Sequence, residues 1–203
     1  MSLSAHDRER IASAIRAAEA RTSGEIVCVL ARSSSDAGGL AILVAALLAL
    51  ALPWLLVATT AMPVYRILSL QLVAFLALTA LLCVPSIRVM LLPRAARRAV
   101  AHRAAMEQFA LRGIAGKKDR SGILIFVSLA ERYARIIADA SIAARVPQAE
   151  WQRAIDALVA HMRDGRIADG FVTAIELCGD HLAAHFPPTE ASRNELPNRI
   201  YLI

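Results

Sequence analysis

Two long apolar runs in the first half of the chain constrain its fold most strongly. The runs Ala37–Tyr65 and Ile67–Ile87 contain no charged residue, and Arg66 is the charge between them. A bilayer core requires about 20 consecutive apolar helical residues, so each run is long enough to cross it. Buried helices of a soluble protein are rarely apolar on every face over such a length. We therefore predict a transmembrane helical hairpin over residues 37–93.

The charges around the two runs predict the orientation of the hairpin. One basic residue lies between the runs, and a basic cluster follows the second run: Arg88, Arg94, Arg97, Arg98 and Arg103. Basic residues accumulate on the cytoplasmic side of a membrane protein, where they contact anionic lipid headgroups. We therefore expect a plasma (inner) membrane protein with both termini and the soluble domain in the cytoplasm. The net charge of +6 is compatible with nucleic-acid binding, but the placement of the basic residues argues against it. No nucleic-acid partner is expected, because aromatic and basic residues do not interleave.

The soluble segments on the two sides of the hairpin belong to one α/β domain. Ile26–Leu30 is a short strand that is apolar on both faces, and Gly122–Val127 and Arg132–Asp139 are strands after the hairpin. A single strand cannot satisfy its backbone hydrogen bonds, so the first strand must pair with one of the later strands. We assign residues 1–36 and 94–190 to the domain, residues 37–93 to an inserted hairpin, and residues 191–203 to an irregular C-terminal tail.

Several segments resemble the TPM domain family. Ala18–Val27 reads AEARTSGEIV and resembles the opening of the family's domain, and Arg120–Arg132 reads RSGILIFVSLAER and is similar to its central β-hairpin. Trp151, His185–Pro187 and Asn194–Asn198 resemble a bacterial membrane branch of the family. The resemblance implies a small mixed sheet sandwiched by helices. It also implies two possible activities, because some members are reported as acid phosphatases or calcium binders and others as accessory factors for membrane complexes.

Two aspartates are the strongest candidates for a metal site. The turn at Leu129-Ala130 makes the second and third strands an antiparallel hairpin, and counting outward from it places position 121 opposite position 139. Asp119 and Asp139 should then lie at the same end of the sheet. Two carboxylates at one place provide the oxygen ligands that Ca²⁺ or Mg²⁺ prefers. The alternative is a pair of solvated aspartates beside Lys117, Lys118 and Arg120.

Other acidic and catalytic side chains are weaker candidates. Glu25 begins the first strand, and the end of the sheet that it occupies depends on the direction of that strand. Glu131 falls at the end opposite Asp139 by the same count and is excluded. The remaining groups are the imidazoles of His181 and His185 at i, i+4 spacing, the loop Gly113–Gly116 with Lys117 and Lys118, and the serines Ser121 and Ser128, which have no obvious base.

Two functions are compatible with these features. The first is a membrane-anchored TPM-like domain that acts as an accessory or scaffold factor, with the lipid bilayer and a membrane protein as partners. The alternative is a metal-dependent, acid-phosphatase-like hydrolase at the membrane surface that uses Ca²⁺ or Mg²⁺. Transport is not expected, because the spans contain no Asp, Glu, Lys or His that could form an ion pathway.

Overall fold

The computed structural model describes residues 3–34, 38–84, 93–114, 122–188 and 197–203. The chain divides into two compact units, Met1–Arg32 together with His102–Ile203, and Ser33–Ala101. The first unit is therefore built from both ends of the chain. Its elements and those of the second unit are, in chain order, α1 (Ala5–Glu19), β1 (Glu25–Ala31), α2 (Gly38–Thr59), α3 (Val64–Cys83), α4 (Arg94–Leu111), β2 (Gly122–Ser128), β3 (Tyr133–Ala138), α5 (Ala140–Ala143), α6 (Gln148–Arg163), α7 (Ile167–His185) and β4 (Ile200–Leu202).

A four-stranded mixed sheet forms the centre of the first unit. The strand order is β3-β2-β1-β4, with β1 parallel to both β2 and β4 and with β3 antiparallel to β2. Strand β1 therefore pairs with a strand that follows the apolar runs, as the sequence requires. The pairing is in register from Glu25 opposite Gly122 to Ala31 opposite Ser128. Because both central strands are buried on both faces, they are apolar along almost their whole length.

The end of the chain differs from the sequence expectation. Residues 191–203 are expected to form an irregular tail, but Ile200–Leu202 form strand β4 at the edge of the sheet. The main chain extends this pairing, since Ile203 N donates to Leu30 O at 3.1 Å and Arg32 N donates to Ile203 O at 2.8 Å. A three-residue strand has no periodicity to detect, so its strand conformation depends on pairing with β1.

Helices cover both faces of the sheet, which confirms the sandwich. Alternate residues of a strand point to opposite faces. On one face Cys28 and Ile125 pack in a core with α1, α6 and α7, whose buried contacts include Trp151. On the other face Val29 and Phe126 pack with the second half of α4.

The second unit contains the two apolar helices, α2 and α3. Ala45 near the start of α2 and Leu82 near the end of α3 belong to the same buried cluster, so the helices are antiparallel. Both have the length and composition needed to cross a membrane, over Ile42–Thr59 and Val64–Leu82. Only 11% and 6% of the residues in these two windows are buried. These helices therefore present apolar side chains outward, and Trp54 is 81% exposed.

Candidate functional site

The register of the sheet places Glu25 and Asp139 at one end. Glu25 is opposite Gly122, and the carbonyl oxygen of Gly122 accepts a hydrogen bond from Asp139 N at 3.0 Å. The start of β1, the start of β2 and the end of β3 therefore meet at this edge. The direction of β1 could not be determined from the sequence, and the parallel pairing with β2 places Glu25 at the end that Asp139 occupies.

Asp139 caps the short helix α5. Its Oδ1 accepts a hydrogen bond from Ala140 N at 2.7 Å, and the side chain is partly exposed. The observed pairing puts position 122 opposite Asp139, one residue from the expected position 121. Asp119, the other predicted ligand, lies outside the described residues, as do Lys117 and Lys118. The pairing of Asp119 with Asp139 therefore stays a prediction.

Glu19 is a further carboxylate at this end that the sequence analysis missed. Its Oε1 accepts a hydrogen bond from Ile26 N at 2.8 Å, which joins the end of α1 to the start of β1. Burial, together with the nearby carboxylate of Glu25, raises the pKa of Glu19 to about 7, although hydrogen bonds from Ile26 and Asn198 oppose the shift. Glu19 lies in the segment AEARTSGEIV that resembles the TPM family. No local sequence pattern predicts that the loop after α1 brings Glu19 back to Ile26.

These side chains have the chemistry of a site for a hard cation. Carboxylate oxygens are the ligands that Ca²⁺ and Mg²⁺ take, and Glu25 and Asp139 occupy the same edge. Among the described residues, however, no three His, Cys, Asp or Glu side chains gather closely enough to hold a metal ion. A complete ligand set would therefore need Asp119 as well.

The opposite end of the sheet contains a buried serine–glutamate pair. Ser128 Oγ donates a hydrogen bond to Glu131 Oε2, and the two residues are 1% and 5% exposed. The structure thus gives Ser128 a carboxylate partner where the sequence indicated none, because the turn after β2 folds Glu131 back onto the strand end. Since both groups are buried, this serine is not an exposed nucleophile. Glu131 lies away from Asp139, as predicted.

The two histidines of α7 have separate environments. His181 Nε2 lies 3.5 Å from Glu150 Oε2, and its ring packs edge-on against Trp151 with ring centroids 6.1 Å apart. His185 is contacted through its backbone oxygen, which accepts a hydrogen bond from Arg145 at 3.3 Å. The residues that the structure describes complete no metal site around them. The glycine loop and Ser121 fall largely or wholly outside the described ranges.

Comparison with known proteins identifies the domain. The sequence profile of the TPM domain matches residues 84–181, which include β2, β3 and most of α7. Residues 84–181 are therefore those of a TPM domain. The NMR structure of the BA42 protein from the psychrophilic bacterium Bizionia argentinensis is similar, with a TM-score of 0.61 and 22% identity over 100% of this chain and 96% of that one. This likeness shows that the two chains share a fold. No curated protein matches the chain.

Proposed function

We propose that this chain is a membrane-anchored TPM domain that acts as an accessory or scaffold factor for membrane proteins. The observation that supports the proposal best is the outward apolar surface of α2 and α3, where 11% and 6% of the residues in the candidate spans are buried. A protein in water rarely exposes an apolar surface of this extent, whereas lipid would cover it. The hairpin would hold the TPM domain at a bilayer without forming a pore by itself.

The proposed orientation follows from the charged residues. Arg66 is the charge between the two apolar runs, while Arg94 and Arg98 begin α4 and are exposed. Basic residues near a span favour the cytoplasmic side. Both termini and the TPM domain would then be cytoplasmic, where the domain could dock on the cytoplasmic part of a membrane protein.

Membrane insertion and orientation have a direct test. The chain should remain in the pellet after alkaline carbonate extraction. The labelling is done in a Cys83→Ser variant, in which the remaining native thiols, Cys28 and Cys178, are buried. A cysteine introduced at Met62 should then react with an impermeant maleimide added outside intact cells. A cysteine introduced at Arg8 should react only after lysis. Extraction into the soluble fraction would refute the anchor, and labelling at Arg8 in intact cells would reverse the orientation.

The scaffold role requires a second measurement. Chemical cross-linking in intact membranes should give a discrete adduct between this chain and another membrane protein. A chain that gives only free monomer, or adducts with itself, would contradict the scaffold role while leaving the anchor intact.

A metal-dependent hydrolase is the second candidate, supported by the position of Glu25 and Asp139 at one edge of the sheet. Asp119 and Asp139 would hold Ca²⁺ or Mg²⁺, which would supply an activated water for phosphoester hydrolysis. The purified chain in mild detergent should then hydrolyse an aryl phosphate with added metal, and EDTA or an Asp119→Asn/Asp139→Asn double substitution should reduce the rate to background. Asp156→Asn is the control, since Asp156 is exposed and accepts a hydrogen bond from Gln152 on α6. Equal rates in the double variant and in the control would exclude this site.

A further inference from the structure

A cavity of about 540 Å³ lies at the end of the sheet opposite Glu25 and Asp139. The turn between β2 and β3 forms one side, and the last turn of α6 forms the other. The wall is partly apolar and partly cationic, and the residues that matter for its chemistry are Leu129, Ala134, Val159, Met162, Arg132 and Arg163. Small-molecule sites in proteins have volumes of about 300–1,000 Å³ and combine apolar walls with a few polar groups.

The two arginines of this cavity differ from the ion-paired arginines of the first unit. Arg10, Arg21 and Arg166 each lie within 2.9 Å of an aspartate oxygen. Arg132 and Arg163 are exposed, and neither forms an ion pair or a hydrogen bond through its side chain in the part of the chain that the structure describes. Their guanidinium groups are therefore available to a ligand.

The acidic groups near the cavity are already engaged. Glu131 is buried, and its carboxylate accepts a hydrogen bond from Ser128. Asp164 follows α6 and pairs with Arg166 at 2.9 Å. These contacts pair the two carboxylates with Ser128 and Arg166 and not with the arginines of the cavity. The mouth of the cavity therefore has an excess of positive charge.

The carbonyl groups at the C-terminal end of α6 are also engaged in hydrogen bonds. A helix C-terminus normally presents free carbonyl groups that repel an anion. Here His161 O accepts hydrogen bonds from Asp164 N at 3.2 Å and from Arg166 N at 3.0 Å, and Met162 O accepts one from Gly165 N at 3.1 Å. Capping of these carbonyls reduces the repulsion beside Arg163.

The backbone of Arg132 is held in an unusual conformation. Its φ is +51°, and it is the one non-glycine residue with positive φ in the described ranges. The left-handed region costs a non-glycine residue roughly 1 kcal/mol or more, and such residues cluster at functional sites. A hydrogen bond from Arg132 N to Leu129 O at 3.2 Å closes this turn. The turn therefore places Arg132 at the cavity at some cost in stability.

We propose that this cavity binds a small organic oxyanion. Arg132 and Arg163 would hold the carboxylate or phosphate group, because guanidinium groups form paired, charge-assisted hydrogen bonds with both. The apolar body of the ligand would lie against Leu129, Val159 and Met162. The cavity lies at the end of the sheet opposite Glu25 and Asp139, so ligand binding there is independent of the proposed metal chemistry.

The test is calorimetric titration of the full chain in a nonionic detergent, in buffer depleted of divalent metal ions by a chelating resin. The probes are phenylphosphonate and benzoate, with benzamide as the uncharged analogue and inorganic phosphate as the anion without an apolar body. We expect saturable binding of one or both aromatic anions, and binding of benzamide and inorganic phosphate that is weaker by about tenfold or more. The stronger of the two anions identifies whether the natural ligand carries a carboxylate or a phosphate.

Variants localise the binding. Arg132→Gln and Arg163→Gln should each weaken it by about tenfold. The matched control is Arg135→Gln, because Arg135 is an exposed arginine in β3 that follows Ala134 and so points to the other face. Ala134→Leu should also weaken binding by filling the cavity without changing its charge. Unchanged thermal unfolding of the arginine variants would show that they remain folded.

Four results would overturn the proposal. Absence of saturable binding up to about 10 mM of either aromatic anion would remove the site. If benzamide binds as tightly as benzoate, the site does not require an oxyanion. If inorganic phosphate binds as tightly as phenylphosphonate, the apolar body of the ligand does not contribute to binding. Equal losses of binding affinity in the Arg135→Gln control and in the cavity variants would indicate a general effect of the protein's charge.

Discussion

Replacement of Trp151 by alanine is expected to lower the free energy of unfolding by about 3–5 kcal/mol. Trp151 is 1% exposed and is among the largest fully buried side chains described. It lies on the buried stripe of α6 together with Ile155 and Leu158, and it packs against the ring of His181. Truncation would leave a large cavity between α6 and α7, where neighbouring side chains relax only partly.

Chemical denaturation of the full chain in mild detergent, followed by near-ultraviolet circular dichroism, measures this loss. Trp151→Phe is the informative partner, because it keeps an aromatic ring and should lose about half as much. Leu111→Ala is the surface control, since Leu111 is 78% exposed. A loss in Trp151→Ala no greater than that of the surface control would mean that this part of the core is not packed as described.

The second large effect is a pH-dependent gain in stability in Glu19→Gln. Burial raises the pKa of Glu19 from its ordinary value of 4.5 to about 7, so the fold favours the protonated carboxyl group. The contribution of this group to stability is therefore fully present below pH 4.5, declines as the pH rises and is lost above about pH 7. Glutamine does not ionise, and its side-chain oxygen can still accept the hydrogen bond from Ile26. The variant should thus gain about 1–2 kcal/mol over the parent across this window, after allowance for partial solvent screening.

The measurement is the denaturation midpoint of parent and variant at about pH 4.5 and about pH 8. Glu9→Gln serves as the control because Glu9 is exposed and pairs with Arg16 at the surface. The pH-dependent gain should be seen in Glu19→Gln alone. A difference between parent and variant that stays constant with pH would show that Glu19 is not destabilised in its charged form.

The sequence by itself determined the features that depend on local pattern. The apolar runs predicted α2 and α3, and the two apolar strand segments predicted the central strands β1 and β2. These helix and strand predictions are confirmed because the length of an apolar run and the burial of a strand on both faces are properties of contiguous residues. The requirement that β1 find a partner also predicted a domain that resumes after the apolar runs.

The tertiary structure alone decided what depends on residues distant in sequence. Strand β4 exists because it pairs with β1, and the parallel direction of β1 and β2 is what brings Glu25 to the edge that Asp139 occupies. Glu19 acquires its raised pKa from burial against a strand that begins after a loop. Arg132 and Arg163 come from a turn and a helix end, and they share a cavity only because α6 packs beside β3. Sequence periodicity does not predict these contacts between distant residues, because they depend on how the helices and strands pack against one another.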